Sequence, residues 1–367
     1  MLSNKRRFWV IFLSAALLLF VVVFKYYSPL KLVGEHGPEY YGEYIASDGK
    51  TLFVLAENVD KLLFLDISTP DKPELISTLT FPEYLGTAAG ITLNGNYLYV
   101  VSKGPQGILI VDVSNPESPR IVANYPPLEN STFNSRLIIS NNIGYVSHRE
   151  GRGNSSLFRL SILSMKDPLE IKQLSIVPEI GSPLWQVGDY LYVEVIYDSS
   201  YDSYLGIVDV SNPEDSKLIE QPPTLHARTL TNVTDADAND REIFFSSYNG
   251  LLTTDISNSS IQGVIKYPDY WAEKIIINGN MGYFLRRLSL YVVDLSSERK
   301  SDIVFLDSIS QGMDFVLVKD HLYVADSLDG LLVYKINRNT PAWRNAITAF
   351  GYGIEYWLSD RIGKYVP

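Results

Sequence analysis

The segment Gly107-Ile-Leu-Ile-Val-Asp112-Val-Ser-Asn-Pro116 decides the fold, because the chain repeats it. It returns as Leu62-Leu-Phe-Leu-Asp66-Ile-Ser-Thr-Pro70, as Gly206-Ile-Val-Asp209-Val-Ser-Asn-Pro213, as Gly250-Leu-Leu-Thr-Thr-Asp255-Ile-Ser-Asn258 and as Leu290-Tyr-Val-Val-Asp294-Leu-Ser296. Two degenerate copies are Phe158-Arg-Leu-Ser161-Ile-Leu-Ser164 and Gly330-Leu-Leu-Val-Tyr-Lys335-Ile-Asn337. Read this way, the aspartate position falls at residues 66, 112, 161, 209, 255, 294 and 335. Such a spacing is that of propeller blades.

Working outward, a tight turn and an aromatic strand precede each copy, as in Asn94-Gly95-Asn96-Tyr-Leu-Tyr-Val100 and Gly188-Asp189-Tyr-Leu-Tyr-Val193. Asn-Gly and Gly-Asp pairs supply the positive φ that a two-residue hairpin needs. A further apolar run lies upstream of each turn, such as Ile275-Ile-Ile277, and another follows each Asp motif, such as Arg120-Ile-Val-Ala123. Four antiparallel strands, seven times over, predict an all-β, seven-bladed β-propeller. The aspartate occurs once per blade, at the end of the third strand. A turn-former recurs wherever its turn does, whereas a catalytic carboxylate is normally unique, so these aspartates are expected to build turns.

These repeats resemble the LVIVD repeat, whose family comprises bacterial and archaeal extracytoplasmic β-propellers. The resemblance spans roughly residues 30–345 and implies a propeller without implying a shared active site. Ser161 and Lys335 depart from its aspartate, so those two turns are expected to differ.

Ahead of the repeats, Lys5-Arg6-Arg7 precedes 17 uncharged residues, Phe8 to Phe24, closed by Lys25. That run is long enough for a transmembrane helix, and the bulky residues after it disfavour a cleavage site. The basic cluster places the remainder outside the cytoplasm. The expected organisation is a cytoplasmic tail (1–7), a signal-anchor helix (8–24), a linker with a possible ring-closing strand (25–37), the propeller (38–350) and a C-terminal extension (351–367). Both Leu30-Lys-Leu-Val-Gly34 and Ala346-Ile-Thr-Ala-Phe350 are candidates to close the ring.

Composition narrows the function. The chain has no cysteine, which removes disulfides, thiolate metal sites and cysteine nucleophiles. Without the four basic residues of the first 25, the rest carries 27 basic and 42 acidic residues, a balance that repels nucleic acid. No phosphate loop, dinucleotide fingerprint or Gly-x-Ser-x-Gly elbow occurs, so no cofactor is expected. Asp235-Ala-Asp237-Ala-Asn239-Asp240 imitates a calcium loop but lacks its glycine and closing glutamate, and reads as an acidic hairpin turn. His321 is placed in a hairpin turn, exposed to solvent.

The loops richest in aromatic and basic residues are those joining the outer strand of one blade to the next, and those between second and third strands. They supply the expected ligand- or partner-binding residues Arg136, Trp185, His226, Arg228, Trp271, Glu273 and Arg286, because Arg and aromatics are what recognition surfaces use. The sequence therefore predicts a membrane-anchored, extracytoplasmic scaffold that binds a protein or surface glycan. The alternative is a carbohydrate-active hydrolase or lyase at the channel mouth, with His226, Arg228 and Glu273 as candidates.

Overall fold

The computed structural model describes residues 30–37, 42–56, 60–81, 87–151, 156–197, 202–219, 233–248, 250–255, 264–265, 272–286, 288–295 and 302–337. They form seven antiparallel sheets, each ordered from an inner to an outer strand. The inner strands begin at Tyr44, Ala88, Ser131, Ile180, Val233, Lys274 and Gly312, in blades 1 to 7. Six blades take their strands consecutively from the chain, four in each but five in blade 3, whereas blade 7 borrows its outer strand from the N-terminus.

Why second and third strands are apolar throughout, instead of alternating, follows from how blades pack. In blade 1, Thr51–Ala56 is buried at every residue. Phe53 and Leu55 join Leu98 and Val100 of blade 2, while Leu52 and Val54 join Tyr323 and Leu331 of blade 7. A strand covered on both faces must be hydrophobic on both. Each neighbouring pair of blades shares one such cluster, so the core is a closed ring of seven. Outer strands show the opposite pattern: Arg120–Tyr125 alternates exposed and half-buried residues.

The repeated aspartates are turn-formers. Asp66, Asp112 and Asp209 each accept, through Oδ1, the backbone N–H of the serine two residues on, at 2.7, 3.0 and 2.9 Å. The hydroxyl and amide of Ser114 hold the Asp112 carboxyl below its ordinary pKa. The next proline has a second use, since its carbonyl receives a bond from the preceding blade: Ser77 Oγ to Pro116 at 2.5 Å, Ser175 Oγ to Pro213 at 2.7 Å.

The register corrects the reading of blade 3. Third-strand residues opposite the start of the second strand are Asp66, Asp112, Asp209, Asp255 and Asp294, and in blade 3 this place belongs to Ser164, not Ser161. Ser161 lies three residues earlier, buried within Leu157–Ser164. The true copy is Ser164-Met-Lys-Asp167-Pro168, in which Asp167 caps the N–H of Leu169 at 2.9 Å as Asn115 caps Glu117. Only the first carboxylate is missing from that turn. In blade 7, Lys335 does occupy the aspartate position.

Ring closure belongs to the N-terminal candidate. Leu30–His36 pairs antiparallel with Gly330–Ile336, from Leu30 opposite Ile336 to His36 opposite Leu331, with a bulge between Leu32 and Gly34. Leu30 is buried in the cluster between blades 6 and 7. Gly330 has φ +91°, and a side chain there would run into the carbonyl oxygens of His36 and Gly37. Gly107 is the same device in blade 2, against Tyr125 and Pro126. The rival stretch, residues 346–350, lies outside the described residues.

The same seam corrects the placing of His321. It is the first residue of His321–Asp326, 3% exposed, with Nδ1 at 2.8 Å from Asp320 Oδ1 and Nε2 at 2.7 Å from Asp71 Oδ1 of blade 1. The Tyr323 hydroxyl donates to the Pro70 carbonyl at 3.2 Å. The third-to-fourth-strand loop of blade 1 folds over this strand start, which is what buries it.

Candidate functional site

Where the seven inner strands begin, they surround a cavity of ≈ 300 Å³ at the mouth of the central channel. Every blade contributes to its lining: Tyr44; Gly90 and Lys103; Arg136; Pro183; Asp235; Glu273 and Lys274; Asp314. Several of these occupy one position of the blade. Tyr44, Gly90, Asp235, Lys274 and Asp314 all stand opposite the fifth residue of their second strand. The repeat thus sets a ring at one height, which in five blades carries a tyrosine, a glycine, a lysine and two aspartates.

Blade 3 reaches this ring by breaking its inner strand. Ser131–Phe133 and Ile138–Ser140 both pair with Ile143–Glu150, separated by Asn134 to Leu137. In the gap Ser135 Oγ accepts the Ser147 N–H at 2.9 Å and the Asn134 N–H reaches the Ser147 carbonyl at 2.9 Å, so the interruption leaves those groups satisfied. Arg136 sits in the break, close above Gly90, where a side chain on Gly90 would press on the Arg136 Cβ.

The charges of the ring are paired. Arg136 Nη2 lies 2.5 Å from Asp235 Oδ1 and donates to the Leu184 carbonyl at 3.5 Å. Lys274 Nζ lies 3.0 Å from Asp314 Oδ1. The carboxylates also tie one inner strand to the next: Asp235 Oδ2 accepts the Ile275 N–H at 2.9 Å and Asp314 Oδ2 the Ile45 N–H at 3.2 Å. Two residues deeper, Asp237 accepts the Ile277 N–H at 2.7 Å, and burial pushes its carboxyl up to about 6.

These bonds revise the reading of the acidic segment. Asp235 and Asp237 belong to the strand Val233–Ala238 and face blade 6. Asn239 forms the turn, accepting the N–H groups of Arg241 and Glu242 at 2.9 and 2.8 Å. The alternation of short acceptors reads as a rung-by-rung link to the neighbouring strand. Among the described residues, no group of three or more histidines and carboxylates is arranged to hold a metal ion.

Of the residues expected from sequence, Arg136 and Glu273 come together at the mouth, Glu273 exposed on its rim. Trp185 does not join them: it lies within the strand Ile180–Val187, half-buried against the cluster between blades 4 and 5. Arg286 ends the strand Met281–Arg286, half-buried and away from the cavity lining. His226, Arg228 and Trp271 lie outside the described residues. Tyr44, Lys103, Lys274 and Asp314 were not anticipated. Aligning the inner-strand starts would have singled out Tyr44, Lys274 and Asp314 as polar or aromatic substitutions at a single position of the repeat, whereas Lys103 follows the second strand of blade 2.

His148 lies in the strand Ile143–Glu150. It is buried beside Phe133 at 6.4 Å between ring centroids, with Ser161 Oγ 3.3 Å from Nδ1. Burial, with the nearby Arg159 charge, lowers its pKa from 6.5 to about 4. The folded protein therefore holds His148 neutral where the unfolded chain takes up a proton. Its contribution to stability is intact above about pH 6.5 and falls as pH drops toward 4, by up to roughly 3 kcal/mol. In urea unfolding at pH 7 and pH 4.5, His148→Gln is expected to lose less stability between the two than the wild type. Equal losses would show that His148 does not carry the effect.

Comparison with known proteins agrees with this architecture. The LVIVD repeat model matches residues 85–126 and 182–221, in blades 2 and 4. No curated protein sequence matches the chain. Among solved structures, the Pan2 WD40 domain of Neurospora crassa superposes with TM-score 0.59 at 11% identity, over 84% of this chain and 96% of that one. Sqt1 of Saccharomyces cerevisiae gives 0.56 at 9% identity, over 84% and 99%. The computationally designed protein Ika8 gives 0.56 at 9%, over 83% and 100%. At these identities the likeness is one of fold.

Proposed function

We propose that this chain, whose LVIVD repeats build a seven-bladed propeller, is a binding scaffold that recognises a protein or surface glycan with the face carrying the channel mouth. The observation behind this reading is the seven-sided cavity, where one position of a uniform repeat carries Tyr44, Gly90, Asp235, Lys274 and Asp314 in five of the blades. Uniformity elsewhere serves the fold; variety at this height serves recognition. The hydrolase or lyase alternative gains less support. Asp235 and Asp314 are each engaged by a cation and a backbone N–H, the arrangement of a rigid wall and not of a group poised to exchange a proton.

The reading includes an N-terminal helix over residues 8–24 holding the propeller on the extracytoplasmic side of a membrane. Those residues lie outside the described ones; among the described residues no helix is long and apolar enough to cross a membrane. The direction of Leu30–His36 is compatible with such a tether. Leu30 lies at the end bearing the aspartate turns, and His36 at the end bearing the mouth. Five residues, 25–29, would reach at most about 18 Å from the anchor. The mouth would then open away from the lipid.

Two experiments test the two halves. Full-length protein in detergent is used to capture partners from envelope extract, comparing Lys103→Glu with Glu273→Lys at the mouth against Arg120→Glu with Lys217→Glu on the opposite face. All four positions are exposed, so the fold is expected to survive within about 0.5 kcal/mol. Capture is expected to fail for the mouth pair alone; equal capture by both would remove the mouth from recognition. For the anchor, the cysteine-free chain permits single labels. Ser118→Cys is expected to react with an impermeant maleimide in intact cells, and Asn4→Cys after lysis alone; the reverse pattern would overturn the topology.

A further inference from the structure

We infer that the channel mouth accepts an acidic sugar, a uronate unit of a glycan chain, with Arg136 and Lys274 receiving its carboxylate; this rests on the mouth being the recognition face. What a ligand meets there differs from the neutral count of charges. The Arg136 and Lys274 side chains are 31% and 27% exposed, whereas their partners Asp235 and Asp314 are 2% and 9% exposed. The carboxylates lie beneath, bonded to the N–H groups of Ile275, Ile45 and Phe315. Each pair is a dipole with its positive end toward the cavity.

Donors are left over. Arg136 uses Nη2 for both Asp235 and the Leu184 carbonyl, so among the described residues Nε and Nη1 have no protein partner. Lys274 Nζ has one contact of three. Lys103 stands exposed on the rim as a third cation, opposed by the single exposed carboxylate of the lining, Glu273. A guanidinium with free N–H groups and an ammonium lining one cavity can receive a carboxylate or a phosphate.

The remaining wall chooses between them. Tyr44 offers an aromatic surface and Asn134 an amide, and the Ser182 hydroxyl, which donates to the Glu194 carboxylate, can still accept. A bare phosphate could accept hydrogen bonds from the amide but would leave the aromatic face unused. A sugar ring stacks its C–H face on the aromatic and exchanges hydrogen bonds with the others, and ≈ 300 Å³ has room for one such ring.

The test is calorimetric titration of the full-length protein in detergent with digalacturonate, the neutral disaccharide galactobiose and inorganic phosphate. Digalacturonate is expected to bind at least about tenfold more tightly than galactobiose, and to weaken as salt rises. Lys274→Gln and Lys103→Gln should each lower its affinity roughly fivefold or more, with Lys217→Gln on the opposite face leaving it unchanged. Lys103→Gln guards against misfolding, because that side chain is exposed. Binding of phosphate without digalacturonate, or a digalacturonate affinity indifferent to Lys274 and Lys103, would overturn the inference. If the mouth variants abolish capture of a protein that digalacturonate does not displace, the sugar assignment falls while the mouth remains the recognition face.

Discussion

A chain lacking residues 1–37 is expected to lose cooperative folding, whereas one lacking residues 1–26 keeps it. The shorter deletion retains Leu30–His36, and the longer removes the whole outer strand of blade 7. Burial of Leu30 is worth roughly 2–3 kcal/mol. The ladder lost with it adds net hydrogen-bond stabilisation of about 1 kcal/mol per bond. Leu332 and Tyr334, now in the shared cluster, would become half-covered, and Gly330–Ile336 would become a bare hydrophobic edge. Together this approaches the 5–15 kcal/mol that holds a domain folded. Circular dichroism with urea titration should show a broad, low-urea transition and self-association for the longer deletion. An unchanged midpoint would mean that another segment can fill the outer position, and residues 346–350 would be the first to examine.

Arg136→Ala is the point substitution expected to cost most at the mouth. It strips the cation from Asp235, which is 2% exposed beneath the guanidinium. Breaking a buried pair from one side costs about 3–5 kcal/mol, chiefly from the charge left behind. Asp235→Asn removes that charge while its amide oxygen still accepts the Ile275 N–H. The double variant Arg136→Ala/Asp235→Asn should therefore recover most of the loss, with a coupling energy above about 1 kcal/mol in a double-mutant cycle. If single and double variants unfold at the same denaturant concentration, the pair is not what stabilises the ring, and Arg136 is held in its strand break by the Leu184 carbonyl and packing.

The propeller was legible in the sequence because blade physics is repetitive: the same turn needs the same Asp-x-Ser-Asn-Pro, and two buried faces need the same apolar runs. The phase slipped in blade 3 for a local reason. Its third strand continues to Ser164, so a serine inside the strand imitated the degenerate aspartate, while Met165-Lys166-Asp167-Pro168 disguised the turn. His321 misled because turn composition cannot report that a loop from the far end of the chain lies over it. Arg136 and Glu273 were found as polar residues between strands. Tyr44, Lys274 and Asp314 were not, since nothing local marks a residue whose partners come from neighbouring blades. Trp185 was taken for a recognition residue by composition, and packing claimed it instead.

The strand that seals blade 7 also fixes a timetable. Leu30 is made early and Ile336 near the end, about 300 residues apart, so the seam is the longest-range pairing in the described fold. At translation rates of about 5–20 residues per second, the first strand waits tens of seconds for its partner. During that interval the molecule is an open arc with two unsatisfied edges, and pairing between distant strands is the slow kind. An N-terminus fastened elsewhere would keep the waiting strand from pairing with the wrong edge. The vulnerable moment in the life of this propeller is therefore its completion, and conditions that slow the final blade should raise aggregation more than conditions that slow any earlier one.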